Sequence, residues 1–268
     1  GGIAGYSAGV ISNCYSNNKK IEAGAYMPNA YAGGIVGYSD APVINCYHTG
    51  DEIYSHSETG DRIYAYSGGI AGYSTSQIST CYNTGLINSY VNAPGDRWQR
   101  AYGGGIVGLN ASNIENCYNS GEIKTSAAYN EGCFTGGIAG QSLSSDTSIT
   151  TCYNVGLITT RNANGAGICP PDNGVHITDC YFMEGRGIAS PGAVSKTDAQ
   201  MRVSSSYAGF DFASVWYIDS TSSYPYPQLG SFRPLPAYRA EISTTEDLSN
   251  IRYYPDRSFY LVNDIVFT

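Results

Sequence analysis

The chain has 268 residues, of which 33 are glycine and 25 are tyrosine, while charged residues make up only 13%. Its formal net charge is −8, so its surface repels phosphate backbones, and we expect no nucleic-acid partner. The sequence contains no run of roughly 18 apolar residues and no long apolar pattern of helical period, so we expect no membrane insertion by this chain and no long helices.

A tandem repeat fills most of the chain. The stretch GGIVGLNASNIENCYNSGEI covers residues 104–123, and related stretches begin at Gly1, Gly33, Gly68, Gly136 and, in altered form, Gly165. An isoleucine follows the glycines in every copy: Ile3, Ile35, Ile70, Ile106, Ile138 and Ile168. A Cys-Tyr pair follows later, with the cysteines at Cys14, Cys46, Cys81, Cys117, Cys152 and Cys180. Recurrence at this period indicates a structural unit, because a catalytic motif usually occurs once per domain.

Each copy carries three short strand signals. They are the GGI(A/V)G segment, the I-x-x-C-Y segment, and an apolar residue after glycine, as in Leu86 and Ile87. Alternation places Cys81 and Ile87 on the inner face and Tyr82 on the outer face, and it requires a bend at Ser79–Thr80 and its equivalents. Three strands per copy describe one coil of a parallel β-helix, since a propeller blade needs about 40 residues or more.

The cysteine positions predict a ladder of thiols. Stacked strands would hold successive cysteines about 4.8 Å apart with parallel side chains, which disfavours the torsion of a disulfide. We expect reduced, buried thiols that act as small apolar fillers. Cys133 and Cys169 lie outside this ladder, and a disulfide at Cys133 stays open.

The tyrosines of the Cys-Tyr pairs are the binding candidates. Outward-facing rings would form a stripe suited to sugar or protein contacts; the stripe comprises Tyr15, Tyr47, Tyr82, Tyr118, Tyr153 and Tyr181. Alternatively, these rings shield the coils or pack under loops. The long segments between the motifs, at 19–32, 56–67 and 90–102, are further candidate contact surfaces.

Motifs for bond chemistry are missing from the sequence. It has no zinc-binding or phosphate-loop spacing and no nucleophile elbow, so we expect no metal, no cofactor and no catalytic residue. His48 replaces Asn or Ser of other copies, and we expect an exposed turn residue there. An acidic cluster with a nearby arginine, suited to weak calcium binding or glycan cleavage but equally to a solvated insertion, comprises Asp51, Glu52, Glu58, Asp61 and Arg62.

The succession of GG(I/L)(A/V)G and I-x-N-C-Y-x-x-G-x-I resembles the GLUG repeat over residues 1–184. GLUG repeats occur in large secreted and surface proteins of bacteria, including the amino-terminal parts of immunoglobulin A1-specific metallopeptidases and adhesin-like proteins. The resemblance implies an all-β fold, a right-handed parallel β-helix (solenoid) of about six coils. Residues 185–231 resemble the segment that follows such repeats, and Phe210, Phe212 and Trp216 are bulky enough to cap an open coil edge. Residues 232–268 resemble a linker and the opening strands of a further module, so we expect a piece of a longer protein.

These observations predict a non-catalytic structural or adhesive module of an extracellular or cell-surface bacterial protein. It would act as a rigid spacer, present loops to a host glycan or protein, or contact neighbouring modules of the same chain. Two alternatives stay open: a glycan-active β-helix enzyme (polysaccharide lyase or hydrolase) and the recognition arm of a secreted protease.

Overall fold

The computed structural model describes residues 1–25, 29–58, 62–92, 98–127, 132–161, 165–171, 174–233, 241–253 and 258–265. The chain forms two compact units, Gly1–Leu229 and Gly230–Thr268. Among the described residues, no helix has the length and apolar character needed to cross a membrane.

Five successive coils of the first unit contribute five short strands each. The first coil contains β1 (Ala4–Ser7), β2 (Ile11–Ser12), β3 (Tyr15–Ser16), β4 (Lys20–Ala25) and β5 (Asn29–Gly33). The second contains β6 (Val36–Ser39), β7 (Val43–Ile44), β8 (Tyr47–His48), β9 (Glu52–Ser57) and β10 (Ile63–Gly68). The third contains β11 (Ala71–Ser74), β12 (Ile78–Ser79), β13 (Tyr82–Asn83), β14 (Leu86–Val91) and β15 (Gln99–Gly104).

The later coils continue this order. The fourth contains β16 (Val107–Asn110), β17 (Ile114–Glu115), β18 (Tyr118–Asn119), β19 (Ile123–Ala127) and β20 (Cys133–Gly136). The fifth contains β21 (Ala139–Ser142), β22 (Ser148–Thr150), β23 (Tyr153–Asn154), β24 (Ile158–Thr160) and β25 (Gly165–Ala166). Beyond them lie β26 (His176–Thr178), β27 (Cys180–Met183) and β28 (Ala193–Lys196).

Every strand of a coil pairs in parallel with its equivalent in the next coil. The result is five parallel sheets: sheet A (β1, β6, β11, β16, β21), sheet B (β2, β7, β12, β17, β22, β26), sheet C (β3, β8, β13, β18, β23, β27, β28), sheet D (β4, β9, β14, β19, β24) and sheet E (β5, β10, β15, β20, β25). The predicted all-β parallel β-helix is therefore confirmed. Five coils contribute a strand to every sheet, slightly fewer than predicted; within the described residues, the strands that follow β25 in the β-helix extend sheets B and C.

The sequence signals undercount the strands in a coil. The I-x-x-C-Y segment is divided between sheets B and C, and the segments proposed as contact surfaces contain β4 and most of β5, β10 and β15. The division occurs at the residue before each cysteine, where φ lies between 49° and 55° at Asn13, Asn45, Thr80, Asn116, Thr151 and Asp179. The bend predicted from side-chain alternation is thus a single left-handed residue in every coil.

Sheets A, B and C enclose the main apolar core. Its isoleucine and cysteine ladders are fully buried from the second coil onward, as at Ile35, Ile70, Cys46 and Cys81. In the first coil, Ile3 is 51% exposed because it pairs with the second coil on one side only. None of the eight cysteines, all of them described, forms a disulfide. The Cys46 backbone N–H lies 3.4 Å from the Cys81 sulfur, so neighbouring thiols are in contact along the stack.

An asparagine ladder runs beside the thiols. Asn83 Nδ2 donates to Asn119 Oδ1 at 2.9 Å, and Asn119 Nδ2 donates to Asn154 Oδ1 at 2.9 Å. The Asn119 side chain also bonds to the N–H and C=O of Gly121. At Gly105 a Cβ would lie 2.5 Å from the Asn119 Cβ and would overlap a backbone oxygen of the next coil. The glycine pair and the asparagine therefore recur together, because the missing side chain of the glycine leaves room for the asparagine side chain.

His48 occupies the asparagine position in the second coil, and the expectation of an exposed turn residue is wrong. Its side chain is fully buried, with Nδ1 3.3 Å from Ser16 Oγ. Nε2 has no hydrogen-bond partner in the described part of the chain. Burial lowers the pKa of His48 to about 4, because the charged imidazolium would lose its hydration.

Sheets D and E pack face to face around two smaller apolar clusters. One contains Ile53, Ile87 and Ile123 of sheet D, and the other contains Ile63 and Cys133 of sheet E. The open question at Cys133 is settled by this position, since the thiol is free and packed among apolar side chains. The outer face of sheet E packs against sheet A, where Leu109 and Tyr73 contact Tyr66 and Tyr102 in one cluster.

Residues 185–229 belong to the same compact unit as the coils. They contain α1 (Asp198–Met201) and the antiparallel pair β29 (Trp216–Tyr217) and β30 (Gln228–Leu229). The strand β28 extends sheet C past β27. The bulky aromatics, expected to cap an open coil edge, instead pack beside the stack against the tyrosines of sheet C.

The second unit, 230–268, is small. Strand β31 (Glu241–Ile242) pairs in parallel with β32 (Tyr260–Leu261), and α2 (Thr245–Asn250) lies between them in sequence. Thr244 caps this helix by accepting a hydrogen bond from the Asp247 N–H at 3.0 Å, and Asp247 accepts one in return from the Thr244 N–H.

Candidate recognition surface

The six tyrosines of the Cys-Tyr pairs lie on the outer face of sheet C and are here called the tyrosine ladder; the first five, from Tyr15 to Tyr153, form one continuous stack. Ring centroids of Tyr47 and Tyr82 are 4.8 Å apart with planes 2° from parallel, and those of Tyr82 and Tyr118 are 4.9 Å apart at 2°. The spacing equals the separation of parallel strands, so the β-helix itself sets the stacking distance.

Exposure falls along this ladder. Tyr15 is 59% exposed, Tyr47 and Tyr82 are half-buried, and Tyr118, Tyr153 and Tyr181 are 5%, 0% and 4% exposed. The last three rings therefore do not face solvent as in an open stripe, and they pack under another part of the chain, which is the alternative considered from the sequence. The physical reason is an aromatic cover supplied by residues 207–229 of the same chain.

The cover is bonded to the ladder as well as packed on it. Trp216 Nε1 donates to Asn116 Oδ1 at 3.3 Å, and its ring lies 5.9 Å from that of Tyr153. Hydroxyl groups of Tyr153 and Tyr224 are 2.9 Å apart. Tyr181 donates to the Ala208 carbonyl at 3.0 Å. Burial raises the pKa of the Tyr153 phenol, which therefore stays protonated and can donate.

Stacking also limits what the uncovered rings can bind. Tyr47 and Tyr82 have a tyrosine against each face, so they present ring edges and hydroxyls to the outside. A sugar that packs its CH groups on an aromatic face cannot reach these faces. Tyr15 stacks on one side, against Tyr47. The proposed tyrosine stripe is therefore a row of hydroxyls more than an apolar platform.

A second aromatic stack, which the sequence reasoning missed, lies on the outer face of sheet E. Tyr31, Tyr66, Tyr102 and Phe134 stack with centroid distances of 4.9, 4.8 and 4.9 Å. Tyr73 of the neighbouring sheet A packs against this row, 6.3 Å from Tyr66. The available signal was the two-residue alternation in NAYAG, IYAYSG and QRAYGG, which is typical of a strand with one aromatic face.

The outer face of sheet E ends in an exposed basic and aromatic patch. Trp98 is 51% exposed, and the guanidinium carbons of Arg62 and Arg100 lie 5.8 and 6.0 Å from the centroid of its ring. Arg100 also lies 5.5 Å from the Phe134 ring and donates to the Tyr102 hydroxyl at 3.4 Å. We call Arg62, Trp98 and Arg100 the Arg-Trp patch.

The described residues of the predicted acidic cluster do not form a single site. Glu52 lies on β9 and accepts a hydrogen bond from Asn88 of the next coil at 3.1 Å. Asp51 and Glu58 are exposed, Arg62 belongs to the Arg-Trp patch, and Asp61 lies outside the described residues. Among the described residues, no group of three or more His, Cys, Asp or Glu side chains is arranged to hold a metal ion.

Of the three segments proposed as contact surfaces, residues 26–28, 59–61 and 93–97 lie outside the described part of the chain. The remainder of each segment is largely strand. The outer face of sheet D is polar, with Lys20 Nζ 2.8 Å from Glu22 and Lys124 Nζ 3.0 Å from Glu122. Such exposed pairs are typical of a solvated face.

Known proteins resemble both one repeat of this chain and its fold. The GLUG motif family matches residues 100–124. The crystal structure of a putative immunoglobulin A1 protease from Bacteroides ovatus is similar, with a TM-score of 0.54 and 17% identity, over 81% of this chain and 75% of that chain. That likeness shows a shared fold. No curated protein matches the chain. The chain is therefore a parallel β-helix in which one repeat, at residues 100–124, matches the GLUG motif.

Proposed function

We propose that this chain is a non-catalytic structural and recognition module of an extracellular or cell-surface bacterial protein. The main support is the distribution of its functional groups. Thiols, asparagine amides and His48 are buried inside the stack, whereas every described aspartate, glutamate, lysine and arginine is at least partly exposed. A fold of this kind supplies a spacer with a variable outer surface.

The proposed spacer role is supported by side-chain ladders that continue from coil to coil. Ladders of isoleucine, cysteine, asparagine and tyrosine run through consecutive coils, so bending the stack would break contacts at several positions of the cross-section. Each coil adds about 4.8 Å of length. One coil alone cannot offset the entropy of ordering its residues, and therefore the coils fold as a cooperating stack.

The recognition role is tested by binding without turnover. The purified chain, fluorescently labelled, is applied to an array of host-type glycans, and the bound glycans are then incubated with it and analysed by mass spectrometry. We expect binding to a subset of glycans that remain intact. Cleavage of any glycan would replace this proposal with the glycan-active enzyme, and absence of binding would remove the recognition role.

A second candidate is the recognition arm of a secreted protease. It is favoured by the fold shared with the Bacteroides ovatus protein, which is described as a putative immunoglobulin A1 protease. Surface plasmon resonance with immobilised immunoglobulins A1, A2 and G tests it. A recognition arm would bind A1 in preference to the other two and leave it uncleaved, and equal or absent binding to all three would refute this candidate.

A further inference from the structure

The Arg-Trp patch is built by strand register. Ile63 pairs with Gln99, and the Ile63 N–H donates to the Trp98 carbonyl at 3.0 Å, so Arg62 lies beside Trp98 in the adjacent coil. Arg100 follows two residues later on the same strand face. The parallel pairing thus holds an indole and two guanidinium groups together on the outer face of sheet E.

This face differs in charge from the molecule as a whole. The chain carries a formal net charge of −8, yet strands β5, β10, β15, β20 and β25 contain no aspartate or glutamate. Within the described residues, neither Arg62 nor Arg100 lies within ion-pair distance of a carboxylate. Both guanidinium groups contact aromatic rings instead. Among the described residues, therefore, no carboxylate occupies the planar donor fork of either guanidinium, and Arg100 donates to the Tyr102 hydroxyl.

We propose that Arg62, Trp98 and Arg100 bind a carboxylate-bearing saccharide. The exposed part of the indole can contact the CH groups of a sugar ring. A guanidinium forms two parallel hydrogen bonds with a carboxylate, which a neutral sugar cannot match. This inference rests on the recognition role proposed above and names the ligand class.

The size of the patch favours a saccharide over a protein. A stable protein interface buries about 800 Å² on each partner. Here Tyr66 and Tyr102, next to the patch, are only 7% and 3% exposed and add little contact area. The exposed remainder, one indole between two guanidinium groups, is comparable to the footprint of one or two sugar rings.

The chain contains its own reporter for the test. It has two tryptophans, and Trp216 is 2% exposed, so quenching by neutral acrylamide acts mainly on Trp98. The probe is a hyaluronan hexasaccharide, which carries glucuronate carboxylates, and the neutral control is a chitin hexasaccharide of the same length. We expect the acidic probe to protect Trp98 from acrylamide, with weaker protection as NaCl rises from about 50 to about 500 mM.

Variants assign the binding to the patch. Arg100→Gln should weaken the affinity at least tenfold, whereas Arg100→Lys retains the charge but loses the paired hydrogen bonds and should be intermediate. Trp98→Ala, followed by calorimetry because the reporter is lost, should abolish binding. Lys124→Gln removes a positive charge from the outer face of sheet D and should leave binding unchanged. Urea midpoints like that of the parent chain would show that each variant folds.

Several results would overturn the assignment. They are equal protection by the neutral hexasaccharide, no protection at about 10 mM acidic probe, unchanged affinity in Arg62→Gln and Arg100→Gln, or tighter binding of an oligoglutamate peptide of equal charge. Glycan-array binding that persists in the double arginine variant would refute this site and leave the recognition role intact. Loss of all array binding by the parent chain would refute both.

Discussion

Replacing His48 with asparagine should make the stack less sensitive to acid. His48 is fully buried, one of its ring nitrogens lacks a hydrogen-bond partner among the described residues, and burial lowers its pKa to about 4 from an ordinary value of 6.5. Between these two values the unfolded chain takes up a proton that the folded chain excludes. With respect to His48, the free energy of unfolding is therefore at its full value above pH 6.5, and it falls as the pH decreases toward 4.

The magnitude follows from proton linkage. Each unit of pKa difference corresponds to about 1.4 kcal/mol. Protonation of His48 therefore lowers the free energy of unfolding by on the order of 3 kcal/mol below about pH 4, and by roughly 2 kcal/mol at pH 5. In His48→Asn this loss should disappear. The new amide can also donate to Asn83, as Asn83 donates to Asn119 at 2.9 Å in the native ladder. That bond should add about 1 kcal/mol at pH 7.

The assay is urea unfolding at pH 7.5 and pH 5, followed by tryptophan fluorescence and circular dichroism. The matched control is His176→Asn, because His176 is exposed. We expect the parent chain and the control to lose stability at pH 5 and His48→Asn to keep most of it. If all three proteins show the same loss, His48 is not the buried acid-sensitive group and the argument from its burial fails.

Three further predictions concern packing. Gly105→Ala should destabilise the chain by about 1–3 kcal/mol or more, since the added methyl overlaps the Gly137 carbonyl oxygen, and an unchanged thermal midpoint would refute the close approach. Trp216→Ala should cost about 3–5 kcal/mol by removing a buried ring and its hydrogen bond to Asn116; a loss in urea unfolding below about 1 kcal/mol would show that the aromatic cover is dispensable. Native thiols should react slowly with a disulfide reagent, with half-buried Cys14 the fastest, and rapid labelling of all eight would contradict the sealed ladder.

The core of sheets A, B and C could be predicted from sequence because one residue type recurs at each of its positions. An isoleucine or cysteine repeated every 28 to 36 residues can be explained only by equivalent environments. The bend before each cysteine was also readable, since Ile78 and Cys81 cannot share a strand face at a separation of three residues. The structure places a left-handed residue, Thr80, between them.

Burial of polar groups was harder to predict. The alternation that puts Cys81 inside also puts residue 83 inside, and His48 is equivalent to Asn83 in the preceding coil. Polarity suggests solvent for both, but this is misleading because an amide can bond to the amide of the next coil. These hydrogen bonds join successive coils and form only in the stack, so they cannot be inferred from a single copy of the repeat.

Contacts between distant parts of the chain account for the remaining differences. Tyr118 and Tyr153 are buried by Trp216, which bonds to Asn116 across 100 positions of sequence. Nothing in the repeat itself distinguishes these tyrosines from Tyr47. The Arg-Trp patch was missed for a similar reason, since Arg62 and Trp98 meet only through the register of β10 and β15.

The interlocking of glycine and asparagine has a consequence for how such chains change length. Gly121 fits against the Asn83 amide of the coil before it, and Gly156 fits against that of Asn119 in the same way. The contact between a glycine and the asparagine of the preceding coil is therefore the same at successive coil boundaries. A gene segment that encodes one whole coil can be duplicated or deleted while this contact is kept at every remaining boundary. Natural recombination can thus change the length of the stack in increments of about 4.8 Å.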